Sequence, residues 1–186
     1  HRDTQAFIHG VYGADKLHVW APSIVPNGDK YYMYYTGVDS LHDQRTLRVV
    51  TSLFDTDNTA WSNDRPVVLD VTTPALVDWI VKKRLSPPGE GAQLRDPYVF
   101  QDPDSVGRFL MVYTAMDSLA TGTPFAVGIA RNKAGSMEQW TPLGRFLATT
   151  RPVASVGRLE SPHVFPDSVH NNPSGVPANA GWRIMF

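Results

Sequence analysis

Cysteine is absent from all 186 residues. That excludes disulfides, thiolate metal sites and thiol nucleophiles at once, and leaves the redox compartment open. Charge of one sign is missing too: 17 Lys+Arg stand against 18 Asp+Glu, a formal net charge of −1. With the charges scattered, there is no electrostatic footprint for nucleic acid or an anionic membrane. No stretch approaches the roughly 20 apolar residues that span a bilayer. The polar opening His1-Arg-Asp-Thr4 has no apolar leader behind it, so no signal peptide is legible. Phosphate-binding glycine loops are missing, and neither Gly135-Ser-Met137 nor Gly37-Val-Asp-Ser40 builds a Gly-x-Ser-x-Gly nucleophile elbow.

Long runs of helix formers are scarce, whereas 14 glycines, 15 prolines and 11% aromatics are present. That balance favours short strands joined by many turns. With 42% hydrophobic and 19% charged residues the chain is globular, and its length suits one domain or part of a larger one.

The most informative feature is an internal repeat. His18-Val-Trp-Ala-Pro-Ser-Ile-Val25 leads through the turn Pro26-Asn-Gly-Asp-Lys30 into the aromatic run Tyr31-Tyr-Met-Tyr-Tyr-Thr-Gly-Val-Asp-Ser40. Leu94-Arg-Asp-Pro-Tyr-Val-Phe100 leads likewise into Phe109-Leu-Met-Val-Tyr-Thr-Ala-Met-Asp-Ser118, with Met, Tyr, Thr, Asp and Ser in register between the runs. Thr46–Ser52 leads on to Trp61, and Phe125–Arg131 leads on to Trp140; each tryptophan is expected to open an outer edge strand. A third copy starts at Leu159-Glu-Ser-Pro-His-Val-Phe165 and runs through an Asn/Pro/Gly-rich loop, 166–180, to a strand at Trp182–Phe186. Pro22, Pro97 and Pro162 mark equivalent points, 75 and 65 residues apart. By alternation, Tyr31–Tyr35 and Phe109–Tyr113 are expected in the core.

Three to four short antiparallel strands per unit, repeated radially, form the blades of a β-propeller. The expected fold class is therefore all-β, a propeller of four-stranded antiparallel blades. The chain reads as one domain over 1–186 with blade starts near 18, 93 and 158. Its units exceed the roughly 40–45 residues of WD40-type blades. The excess sits in 66–92, where Ala75–Arg84 suits a short helix or an added strand. About four blades are needed for closure, so the chain is expected to be an excerpt of a larger propeller.

Each repeat head carries a different residue before its proline: Ala21, then Asp96, then the pair Glu160-Ser161. If the first strand of each blade lines a central channel, Asp96 and Glu160 meet across one funnel. Two carboxylates so placed, one kept protonated and one ionised, suit cleavage of a glycosidic bond. Glutamate is rare here, and of Glu90, Glu138 and Glu160 only the last heads a repeat. A plainer role is open to each residue: an Asx turn for Asp96, a solvated strand end for Glu160, an ion pair for Arg95.

Trp20-Ala-Pro22, Arg95-Asp-Pro97 and Glu160-Ser-Pro162 resemble successive blade motifs of the five-bladed propeller glycosidases, glycoside hydrolase families 43 and 32. The resemblance runs from about Leu17 to Phe186 and covers the middle blades. It implies a five-bladed fold when complete, with about three blades here, and a glycosidase acting on plant- or fructan-type oligosaccharides. By position, Glu160 would be the proton donor. Asp96 would be the supporting carboxylate, orienting the donor or holding sugar hydroxyls, with Arg95 beside it. The third carboxylate of those families lies in an Asp-Pro motif of an earlier blade; neither Asp3 nor Asp15 precedes proline. Substrate contacts are expected from Trp20, Arg95, His163 and His18, with Trp20 equally open to packing between blades.

No cofactor is expected. The histidines match no zinc spacing, and although some relatives hold calcium in the channel, no ligand set is legible. The expected partner is an oligosaccharide or polysaccharide, with no nucleic acid and no membrane, and export from the cytoplasm goes with that activity. Three other readings stay open: a non-catalytic carbohydrate-binding or remnant propeller, a propeller used for protein assembly, and a phosphorolytic relative.

Overall fold

A computed structural model describes residues 13–52, 61–76, 92–116, 125–148, 161–166 and 182–185. Strands β1 (His18–Asn27), β2 (Lys30–Val38), β3 (Gln44–Ser52) and β4 (Val67–Leu69) form one sheet in that order. Strands β5 (Leu94–Gln101), β6 (Phe109–Met116), β7 (Phe125–Asn132) and β8 (Trp140–Ala148) form a second, and β9 (His163–Pro166) pairs with β10 (Trp182–Met185). Every pairing is antiparallel between sequence neighbours, the up-and-down order of a propeller blade. Among the described residues the only helical segment is a 3-10 turn at Pro74–Leu76. The all-β propeller architecture is what the chain forms.

Local chemistry explains the meanders. Asn27 pairs with Lys30 across a two-residue hairpin, and Gly28 at its first position has φ 61°. A tight hairpin of this kind needs a left-handed residue there, and glycine adopts it without steric cost. The strands it joins are rich in aromatic and β-branched residues, which fit a pleated, half-buried surface.

Side-chain alternation builds three packed layers. Tyr34 and Leu69 of the first sheet share a core with Leu94, Met111, Tyr113 and Trp140 of the second. Val112, Phe125 and Val127 point to the second sheet's other face and pack with Val164 of β9. Met33, Tyr35, Leu47 and Val49 cover the first sheet's far face. Each fully buried Leu or Met contributes about 1.5–3 kcal/mol. Polar ties add register between the sheets: the Tyr34 hydroxyl donates to the Met137 carbonyl at 2.7 Å, and Tyr34 meets Trp140 edge-on at 5.4 Å. Burial pushes the Tyr34 phenol well above its ordinary pKa, with Arg48 and Trp140 only partly opposing it.

Two expectations need correcting. Tyr31 is not core: it flanks the hairpin turn and is 37% exposed, because only residues farther along β2 are covered by neighbouring layers. Trp61 does not open the edge strand: it packs against the far-face core, while β4 starts at Val67. Pro66 has no N–H for the ladder; its carbonyl accepts the Arg48 N–H at 3.2 Å, and strand pairing begins just after it. Trp140, by contrast, both opens β8 and is buried. Of the span 75–84, residues 77–84 lie outside the described residues, as do 167–180 of the third-repeat loop.

Candidate functional site

The repeat heads share a backbone device. β1 pairs with β2 as Trp20↔Thr36 and then Ser23↔Tyr34, so Ala21 and Pro22 together oppose Tyr35. β5 and β6 repeat this, with Arg95↔Thr114 followed by Tyr98↔Val112, so Asp96 and Pro97 oppose Tyr113. Two residues against one is a β-bulge, where a proline can sit without breaking the ladder. The bulge's first residue is left-handed in both cases, Ala21 at φ 47° and Asp96 at φ 56°, and Ser161 before Pro162 matches them at φ 50°. Such a conformation costs an L-residue roughly 1–2 kcal/mol, less for Asp. Among the described residues only His42 joins these three as a non-glycine residue with positive φ.

The three left-handed residues and their prolines converge, with Tyr98 and His163, on an open cleft of about 120 Å³. Asp96 is the one carboxylate among the described residues that line it. It is buried, its N–H donates to Thr36 Oγ1 at 2.8 Å, and its Oδ2 accepts the Ser161 N–H at 2.9 Å. Arg95 Nε lies 3.5 Å from the same Oδ2. The rest of the Arg95 guanidinium is engaged elsewhere, with Nη1 donating to Gln93 Oε1 and the group lying 4.8 Å over the Phe125 ring.

The expected site residues thus separate. Asp96 and His163 share the cleft, and the His163 ring lies 4.9 Å from that of Tyr98. Arg95 sits behind Asp96, buried, and forms none of the lining. Trp20 and His18 stack on each other at 5.4 Å and 13°, both exposed on β1 and neither in the lining. Glu160 lies outside the described residues. Among the described residues no three His, Asp or Glu converge as metal ligands. Asp15, the upstream acid, is buried with its Oδ2 accepting from Tyr35 at 2.9 Å and Arg65 at 2.6 Å.

Sequence reasoning missed Ser161, Tyr98 and Thr36. The proline spacing pointed at the heads, but a residue before proline is ordinarily biased to extended backbone, so nothing foretold the left-handed turn. The shared left-handed backbone directly before proline also aligns Ser161, not Glu160, with Asp96 and Ala21; by sequence position Glu160 aligns with Arg95 and Trp20.

Beside the β2–β3 turn of the first sheet, Asp39 accepts the N–H groups of Leu41 and Asp43 and a 2.6 Å bond from Arg45. Burial opposes its ionisation, yet these donors prevail and hold the carboxyl below its usual value. Asp43 in turn accepts the Ala92 N–H at 2.9 Å, which ties this turn to the chain just before β5.

No protein-family model matches the sequence, and no curated protein matches it in sequence. Solved structures do resemble it. A β-fructofuranosidase variant from Microbacterium saccharophilum aligns with TM-score 0.55 and 16% identity, over 80% of this chain and 34% of that one. A sucrose-6-phosphate hydrolase from Lactobacillus gasseri gives 0.48 and 15%, over 73% and 24%. An endo-arabinase from Bacteroides thetaiotaomicron gives 0.45 and 13%, over 88% and 71%. At such identity the likeness is one of fold, carried by the first of these. The chain shares the propeller fold of that fructofuranosidase and spans about a third of its length.

Proposed function

We propose that the chain is part of a glycosidase that hydrolyses glycosidic bonds in plant- or fructan-type oligosaccharides. The observation that carries this is the placement of Asp96: a buried carboxylate in a cleft where three repeat heads converge, its Oδ2 holding the N–H of the residue that follows Glu160. Chain connectivity therefore brings Glu160 into the proposal.

In this reading Glu160 is the general acid. It gives its proton to the glycosidic oxygen as the bond to the anomeric carbon breaks, and water supplies the hydroxyl that replaces the leaving group. Asp96 is the supporting carboxylate, and the base or nucleophile comes from outside this sequence. His163, with Tyr98 beside it, is the nearest candidate for a sugar hydroxyl in the cleft. Trp20 and His18 offer a stacked aromatic surface on the same strand as Ala21, suited to the apolar face of a sugar. An exported location accords with such substrates.

The test is Glu160→Gln in the complete protein. Turnover of substrates with poor leaving groups should fall by at least about a hundredfold, the low end of what general acid catalysis contributes, while activated aryl glycosides lose less. Undiminished turnover of an oligosaccharide would sink the assignment. A second reading is a propeller that binds carbohydrate without cutting it. Ala21 favours it, because the first head brings no side-chain oxygen to the cleft. Saturable oligosaccharide binding with no products from any substrate would select that reading.

A further inference from the structure

The hydroxyl of Thr36 has no part in the chemistry just described, yet it is fully buried and bonded to the backbone of Asp96 in the next sheet. We propose that Thr36 is a positioning residue, the anchor of a relay that runs Thr36 Oγ1 to the Asp96 N–H and Asp96 Oδ2 to the Ser161 N–H. The proposal rests on the glycosidase reading for its catalytic consequence but not for its geometry.

Three observations support the relay. Its two bonds, 2.8 Å and 2.9 Å, join three successive repeats through the left-handed residues that need an external hold. Neighbouring hydroxyls show that this is directed: Ser23 Oγ accepts the Val99 N–H at 2.9 Å, so the first sheet presents acceptors to β5 on both sides of the bulge. The third is a broken symmetry. Thr114 faces Arg95 as Thr36 faces Trp20, so the repeat would deliver the Ser161 N–H to Thr114. Instead Thr114 Oγ1 is buried without a hydrogen-bond partner among the described residues, and the carboxylate of Asp96 holds that N–H. Asp96 has displaced a threonine from the structural role, which leaves the orientation of its carboxylate dependent on the bond behind it.

The experiment is amide hydrogen exchange, read residue by residue by NMR on the full chain, in Thr36→Val, Thr36→Ser and Thr114→Val. Removing the Thr36 acceptor should speed exchange of the buried Asp96 amide by about tenfold or more, the factor expected when a buried N–H loses its partner, and speed exchange of the part-buried Ser161 amide along with it. Thr36→Ser should restore both, and Thr114→Val should leave both unchanged. A Ser161 amide that stays protected in Thr36→Val, or opens in Thr114→Val, overturns the relay. If Thr36→Val does not fold, the Thr114→Val spectrum alone still decides which group holds Ser161. Where an oligosaccharide is turned over, Thr36→Val should lower kcat with KM nearly unchanged, and Thr36→Ser should recover it. A kcat unchanged in Thr36→Val would overturn the positioning role. Absence of turnover in every form would count against the glycosidase reading, while the exchange result still judges the relay.

Discussion

Asp96 bears two separable loads, and a pair of substitutions divides them. Asp96→Asn keeps a side-chain oxygen for the Ser161 N–H and keeps the tolerance for left-handed backbone shared by Asn and Asp. It removes only the charge, which faces Arg95 Nε at 3.5 Å with side chains 7% and 9% exposed. Stripping one partner from a buried pair costs about 3–5 kcal/mol in general. Here the separation is long, and Gln93 and the Phe125 ring still attend the guanidinium. The cost should fall to about 1.5–3 kcal/mol, the range for a hydrogen bond to a charged group. Asp96→Ala adds the loss of the Ser161 tie, about 0.5–1.5 kcal/mol, and the strain of an alanine at φ 56°, about 1 kcal/mol or somewhat more. Alanine should therefore exceed asparagine by about 2 kcal/mol. Urea unfolding at neutral pH, followed by tryptophan fluorescence, measures both from midpoint and slope. Equal costs would refute the reasoning, since charge pairing alone would then explain the residue. If the protein turns over a glycoside, both variants should lose activity although asparagine spares the fold, and full activity in Asp96→Asn would remove the carboxylate from the mechanism.

Other sites give sharper tests of packing and charge. A Cβ at Gly128 would fall 2.4 Å from two Tyr113 ring atoms, so Gly128→Ala should cost about 3 kcal/mol by overpacking, read in the same unfolding assay. Tyr113→Phe should be neutral or stabilising within about 1 kcal/mol, because the hydroxyl it removes is buried without a partner among the described residues. Asp39 has a lowered pKa in the folded protein, so its contribution to stability is present above the unfolded value of 3.8 and is lost as pH falls below it. Asp39→Asn should flatten the acid limb of a pH–stability curve; an unchanged limb would contradict the assigned ties. Burial raises the phenols of Tyr34, Tyr35 and Tyr113 well above 10.0. A spectrophotometric titration should therefore leave these three tyrosines un-ionised until the protein unfolds, and their stabilising contribution fades only as pH rises above 10.

Much of the architecture was legible because it depends on local rules. Alternation in Tyr32–Tyr35 and Met111–Tyr113, glycine in the Gly28–Asp29 hairpin and the spaced prolines follow from a pleat of period two and from sterics. They determined an all-β chain of meandering antiparallel strands with Asp96 at a repeat head. Trp61 and Tyr31 were misread because burial depends on which neighbouring layer reaches a residue, and no local pattern encodes that. The same holds more strongly for the site. That Arg95 turns inward to Gln93 and Phe125, that Trp20 and His18 pair outside the cleft, and that Thr36 and Ser161 both bind Asp96 are contacts across 60 or more residues or choices of rotamer. Sequence by itself determined the strands and the acid that heads the second repeat. Tertiary structure alone decided what that acid holds, because the hydrogen bonds at the left-handed residues Asp96 and Ser161 come from neighbouring sheets.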